Sequence, residues 1–170
     1  MQRPAASEHI PYYSNYIDLV PEGNLLEILT AQIATVTALT EGVTEERSGY
    51  RYAAGKWSLR EMLCHILDSD RVFASRAMAF ARGETQALPG YEQDDYIAAS
   101  AADACNFAEL GREFAALREG NVWMFRHLPA AAWTRTGIAN NDRISVRALA
   151  YILAGHVIHH LRIVHERYGV

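Results

Sequence analysis

Residues 57–73 read WSLREMLCHILDSDRVF, and this stretch decides the fold. Ser58 and Glu61 form an S-x-x-E capping box, in which each side chain can satisfy an orphan amide at a helix start. Trp57 just before the cap and Met62 in the first turn add a hydrophobic staple. Leu59, Met62, Leu63, Ile66, Phe73, Ala77 and Phe80 then recur at helical spacing until Gly83 ends the pattern. The spacing predicts one long amphipathic helix, with His65 on its apolar side.

Working outward, three further helices follow from the same periodicity. The first is expected from about Pro21 to Glu41, with Leu25, Leu29, Ile33, Val36 and Leu39 facing inward and Gly42 as its stop. The third covers roughly Asp103 to His127 and buries Phe107, Leu110, Phe114, Leu117 and Phe125. Gly111 and Gly120 weaken it, at about 1 kcal/mol each relative to alanine. The last, capped by Ser145, reaches about Tyr168 before Gly169. Four such helices predict an all-α, four-helix bundle, with sites built from side chains on facing helices. Its connections are long: Gly42 to Trp57, Gly83 to Ala102, and Pro129 to Ile144, where Gly137 and Asn140-Asn141 suggest a loop or small hairpin. These are the candidate lids over one end.

The 170 residues are read as a single domain, 1–170, in which 1–18 form a loosely attached N-terminal arm carrying His9. Hydrophobic residues make up 50% and charged residues 21%, the balance of a soluble globular domain. A net charge of -4 with dispersed arginines leaves no footprint for nucleic acid. The longest uncharged apolar stretch, Ala148 to Leu161, is shorter than the ~20 residues that span a bilayer, so no membrane partner is expected. Cys64 and Cys105 match no metal or disulfide framework and point to reduced thiols, packed as small hydrophobes, in a cytoplasmic protein. Trp57, Trp123 and Trp133 are read mainly as core and staple residues.

Chemistry is concentrated in histidines. The segment 150–168, AYILAGHVIHHLRIVHERY, places His156 and His160 four residues apart, hence on one helical face, in a stripe with Leu149, Leu153 and Val164. Two histidines on one apolar stripe each need a buried partner, and a divalent metal is one answer; satisfied core histidines are the other. His65 on the neighbouring helix would complete three neutral nitrogen donors with a position left open. His159 points about 100° away and reads as a rim or interface residue. Asp68, one turn from His65, could hold the ring N–H of that ligand; the competing reading makes Asp68 and Asp70 surface carboxylates paired with Arg71 or Arg76. For Asp70 the surface reading is preferred. Arg60, Arg147 and Arg162 could orient substrate carboxylates, though surface ion pairing suits each better.

The segments Gly55-Lys56-Trp57-Ser58-Leu59-Arg60-Glu61 and His65-Ile66-Leu67-Asp68-Ser69-Asp70-Arg71 closely resemble the opening block of the DinB-like superfamily, also called DinB/YfiT-like. Ser145-Val146-Arg147-Ala148-Leu149, followed by Gly155-His156 and His159-His160, resembles its closing block. That resemblance implies a four-helix bundle, frequently homodimeric, with a three-histidine divalent metal site at His65, His156 and His160. Zinc and nickel are the metals it implies. Asp70 stands where many relatives carry glutamate.

The resulting functional expectation is a metal-dependent enzyme acting on a small molecule, in first place a thiol S-transferase using a low-molecular-weight thiol. A hydrolase using an activated water, with Asp68 assisting, and a non-catalytic metal-binding stress-response bundle are the alternatives.

Overall fold

The computed structural model describes residues 2–170. Among them are helices α1 (Ser14–Ile17), α2 (Leu25–Gly42), α3 (Glu45–Ser48), α4 (Leu59–Ala81), α5 (Gln93–Ala99), α6 (Phe107–Arg126) and α7 (Val146–Ile163). The long helices α2, α4, α6 and α7 form the four-helix bundle. A single hairpin, β1 (Thr136–Ala139) with β2 (Asp142–Ser145), interrupts the all-helical pattern. Its two turn residues Asn140 and Asn141 have φ of +53° and +68°, the conformation that a two-residue type I′ turn demands.

Side-chain caps set where the long helices begin. Ser58 Oγ accepts from Glu61 N at 3.2 Å while Glu61 Oε2 accepts from Ser58 N at 2.6 Å, completing the capping box that opens α4. Ser145 caps α7 by accepting from Ala148 N at 3.0 Å. The other two helices start four residues later than their periodicity predicts. Asn24 Oδ1 accepts from Leu26 N at 3.0 Å, and Asn106 Oδ1 accepts from Glu109 N at 3.0 Å. Each asparagine halts the helix N-terminally by satisfying one of its first free amides.

The bundle core is divided in two by a polar layer. One apolar half gathers Leu29, Phe73, Phe80, Val122 and Leu149; the other gathers Val36, Leu63, Phe107, Phe114 and Val157. Between them each long helix contributes a buried polar residue: Gln32, Asp70, Arg118 with Asn121, and His156. In α2 the buried stripe therefore runs Leu25, Leu29, Gln32, Val36, Thr40, and the expected Ile33 and Leu39 are only half-buried. Gly111 explains its own place in α6: a Cβ there would lie 2.0 Å from Thr40 Oγ1, so its absence lets α2 and α6 approach closely.

The N-terminal segment is not a loose arm. Glu8 bridges to Arg147 and accepts from Ser145 Oγ at 2.7 Å, while Arg3 Nη2 donates to Val20 O at 2.6 Å. Helix α1 lies on α7 with Ile17 buried, and Gly155 makes this possible, because a Cβ there would meet Tyr16 O at 2.0 Å. His9 is likewise buried. These anchors are single side chains and one missing side chain, so they leave no periodic trace in the sequence.

Candidate metal centre

Helix α4 delivers His65, and α7 delivers His156 and His160; all three are buried. Their rings stand 4.9 Å (His65 to His156), 4.9 Å (His65 to His160) and 4.4 Å (His156 to His160) apart between centroids. His65 Nε2 lies 3.0 Å from His156 Nε2, and His160 Nε2 lies 3.1 Å from the same atom. Each residue can offer one ligand atom, and those atoms all fall within 4.8 Å of one another.

Hydrogen bonding within the trio leaves this arrangement short of partners. The central Nε2 of His156 has either one proton or one lone pair, so it can complete one of its two contacts well, not both. His160 Nδ1 is also buried with no protein partner. A cation would engage all three Nε2 lone pairs at once. Nitrogens bound to one ion at about 2.0–2.1 Å stand roughly 2.8–3.4 Å apart for angles of about 90–109°, and the His65–His156 and His156–His160 separations of 3.0 and 3.1 Å lie in that range. The rings are also in the ligating protonation state. Burial pushes His65 down to about 4 and His160 down to about 3, and it drives His156 well below its ordinary value, with the neighbouring imidazoles adding to each effect.

The trio is packed by aromatic neighbours. Tyr16 from α1 meets His156 edge-on at 5.3 Å, Trp57 lies 4.8 Å from His65, and Phe73 lies 6.1 Å from His156. Two hollows reach it. One, of about 330 Å³, opens on His65 and His156 between Tyr13, Phe73 and Tyr91. The other, of about 350 Å³, opens on His160 beside Trp57 and Tyr168. Gln93 and Asp94, at the start of α5, line both. The long connections thus serve as walls: 83–102 supplies Tyr91 and α5, the hairpin supplies Asn140, and 42–57 supplies Lys56 and Trp57. The first wall is held by Leu88, whose N donates to Ile138 O at 2.9 Å and whose carbonyl accepts from Asn140 N at 3.0 Å.

Several other sequence-derived candidates lie elsewhere. Asp68 is 30% exposed, pairs with Arg71 at 3.7 Å, and lines a separate groove with Cys64 and Cys105. It makes no hydrogen bond to the histidines, because its place three residues after His65 turns it towards α6 rather than α7. His159 stays outside the trio, edge-on to Tyr16 at 5.3 Å. Arg60 pairs with Glu45 and Arg147 with Glu8, as surface pairing would have it, and Arg162 is exposed. Asp70 overturns its reading as a surface carboxylate. It is 2% exposed and receives Arg118 through Nε at 3.1 Å and Nη2 at 2.5 Å, with Asn121 Nδ2 at 3.0 Å. Arg118 also donates to Gln32 Oε1, and Gln32 Nε2 donates to Ala154 O at 2.7 Å, two residues before His156. Arg118 was legible in principle, since it continues the inward stripe of Phe107, Leu110, Phe114 and Phe125.

Residues 28–164 match the DinB superfamily profile. The chain belongs to the DinB superfamily. Among solved structures it is similar to YfiT from Bacillus subtilis, described as a probable metal-dependent hydrolase with an unusual four-helix bundle topology. The TM-score is 0.75 at 15% identity, covering 92% of this chain and 98% of that one. At that identity the likeness establishes the shared bundle topology. No curated protein matches the sequence significantly. No helix among the described residues is long and apolar enough to cross a membrane.

Proposed function

We propose that His65, His156 and His160 hold a divalent transition metal, zinc or nickel, and that the protein is a metal-dependent enzyme for a small molecule. The convergence of three neutral Nε2 atoms, which hydrogen bonding cannot fully satisfy, carries this reading. A metal held there supplies Lewis-acid activation, lowering the pKa of a nucleophile brought against it.

The reaction class we favour is S-transfer from a low-molecular-weight thiol to an electrophilic carbon. Two hollows open on one histidine cluster, one at His65 and His156 and the other at His160, giving room for a thiol and its acceptor together. Tyr16, Trp57 and Phe73 pack against the rings and fix their orientation. The Gln32–Arg118–Asp70 chain ties α7, just before His156, to the other three long helices. Hydrolysis is the second reading. It draws support from Asp94, an exposed carboxylate on both hollows that could accept a proton from water, and from the description of YfiT.

Elemental analysis of untagged protein tests the site: about one divalent ion per chain is expected, lost when all three histidines become alanine. Unchanged stoichiometry in that variant refutes the metal reading. Turnover of an electrophile and ester panel with and without added thiol separates the reactions, since thiol-independent hydrolysis overturns S-transfer.

A further inference from the structure

The hollow over His65 and His156 contains a buried cation without a counter-ion. Arg76, on α4 eleven residues after His65, is 6% exposed and lines this hollow. Buried arginines are ordinarily paired, because an ion removed from water without a partner costs several kcal/mol. The chain's other buried arginine, Arg118, obeys this through Asp70. Among the described residues no carboxylate lies within ion-pair distance of Arg76.

Its one hydrogen bond runs from Nη2 to Pro89 O at 2.6 Å. A guanidinium has five N–H donors, so most of the fork is uncommitted. Nε and Nη1 have no protein partner, yet they are not among the polar atoms sealed from solvent, and Arg76 lines the hollow over the histidines. Arg76 also borders a shallower groove beside Leu88 and Pro89. Its charge nevertheless acts on the hydroxyls of Tyr13 and Tyr91, opposing the upward push of burial, and both tyrosines wall the hollow over the histidines.

We propose that Arg76 is the anchor for a carboxylate on the small molecule that occupies the hollow over His65 and His156. The proposal rests on the metal-site reading for what happens to that molecule, but not for its recognition. A planar, singly charged carboxylate matches the free edge of one guanidinium, which can bind it through two parallel hydrogen bonds. The exposed carboxylates of Glu92 and Asp94 at the rim work against a more highly charged phosphate. Between tip and histidines, Tyr13, Phe73 and Tyr91 offer ring faces and edges to an apolar or aromatic body. Arg76 is thereby a specificity-determining residue, and the ligand class is a small aromatic or apolar carboxylic acid.

Calorimetric titration with benzoate and with its neutral isostere benzamide tests this. The titrations use protein as purified, metal-stripped protein, and the Arg76→Gln and Arg76→Lys variants. Benzoate is expected to bind at least about tenfold more tightly than benzamide, as a charge-assisted pair requires. That preference should survive metal stripping, which removes any direct contact of the acid with an ion. It should vanish in Arg76→Gln and persist in part in Arg76→Lys, with melting temperatures that show both variants folded. Equal binding of acid and amide, benzoate affinity weaker than about 10 mM, or an acid preference intact in Arg76→Gln each overturns the proposal. Failure of the metal reading shows separately, as absence of metal from the purified protein with the acid preference unchanged.

Discussion

Replacing Asp70 by alanine should be among the most damaging single changes in the bundle. Asp70 accepts three hydrogen bonds in the polar layer, two from Arg118 and one from Asn121. Its removal leaves the Arg118 guanidinium, 0% exposed, with Gln32 as its remaining hydrogen-bond partner. Breaking a buried ion pair from one side costs about 3–5 kcal/mol, because the surviving charge stays buried. Against a total stability of about 5–15 kcal/mol for a domain, that is about a fifth or more of the whole. For a chain of this size it corresponds to a fall in melting temperature of about 6–20 °C. Urea titration followed by circular dichroism, in the same metal state, gives the free energy directly. Removing both charges in Asp70→Leu/Arg118→Met should cost clearly less than the two single losses added together, since neither charge is then stranded. An Asp70→Ala loss under about 1 kcal/mol, or strict additivity in the cycle, would refute the account of the layer as a closed ionic network.

Other outcomes follow from the N-terminal contacts. The Arg147 guanidinium beside Glu8 holds that carboxyl down to about 2 from an ordinary 4.5, with Ala5 N and Ser145 Oγ assisting. A depressed carboxyl pKa stabilises the fold above pH 4.5 and loses that contribution as pH falls towards 2. Glu8→Gln should therefore cost about 1–2 kcal/mol near neutrality, after solvent screening, and nothing near pH 2; an equal cost at both ends, in denaturation series across pH, would contradict the pairing. Gly155→Ala places a methyl against Tyr16 O, where a Cβ would lie 2.0 Å away. It should cost about 1–3 kcal/mol through overpacking and raise hydrogen exchange in 14–17, whereas unchanged protection there would show that α1 is not seated by Gly155.

The capping box at Ser58 and Glu61, the cap at Ser145 and the histidine spacing in α7 were legible because each is local. Helical geometry alone puts His156 and His160 on one face, and the structure does bring them together with His65. The loose N-terminal arm was a misreading with a definite cause: its seating depends on Gly155 and Arg147, more than a hundred residues away. Of the two readings of Asp68, the structure shows the pairing with Arg71 rather than a contact with His65. A residue three positions after His65 shares its general face, but only the placement of α6 and α7 decides which helix it meets.

The sequence by itself determined four amphipathic helices, the N-terminal caps of two of them at Ser58 and Ser145, and the histidines that could share a site, because period and caps act within a few residues. The tertiary structure alone decided which polar groups share a level in the bundle. It drew Gln32, Asp70 and Arg118 from three helices into one buried layer, and it left Arg76 lining the hollow with no carboxylate at ion-pair distance. Whether a charge is paired depends on neighbours fixed by packing, and helical periodicity carries no information about them.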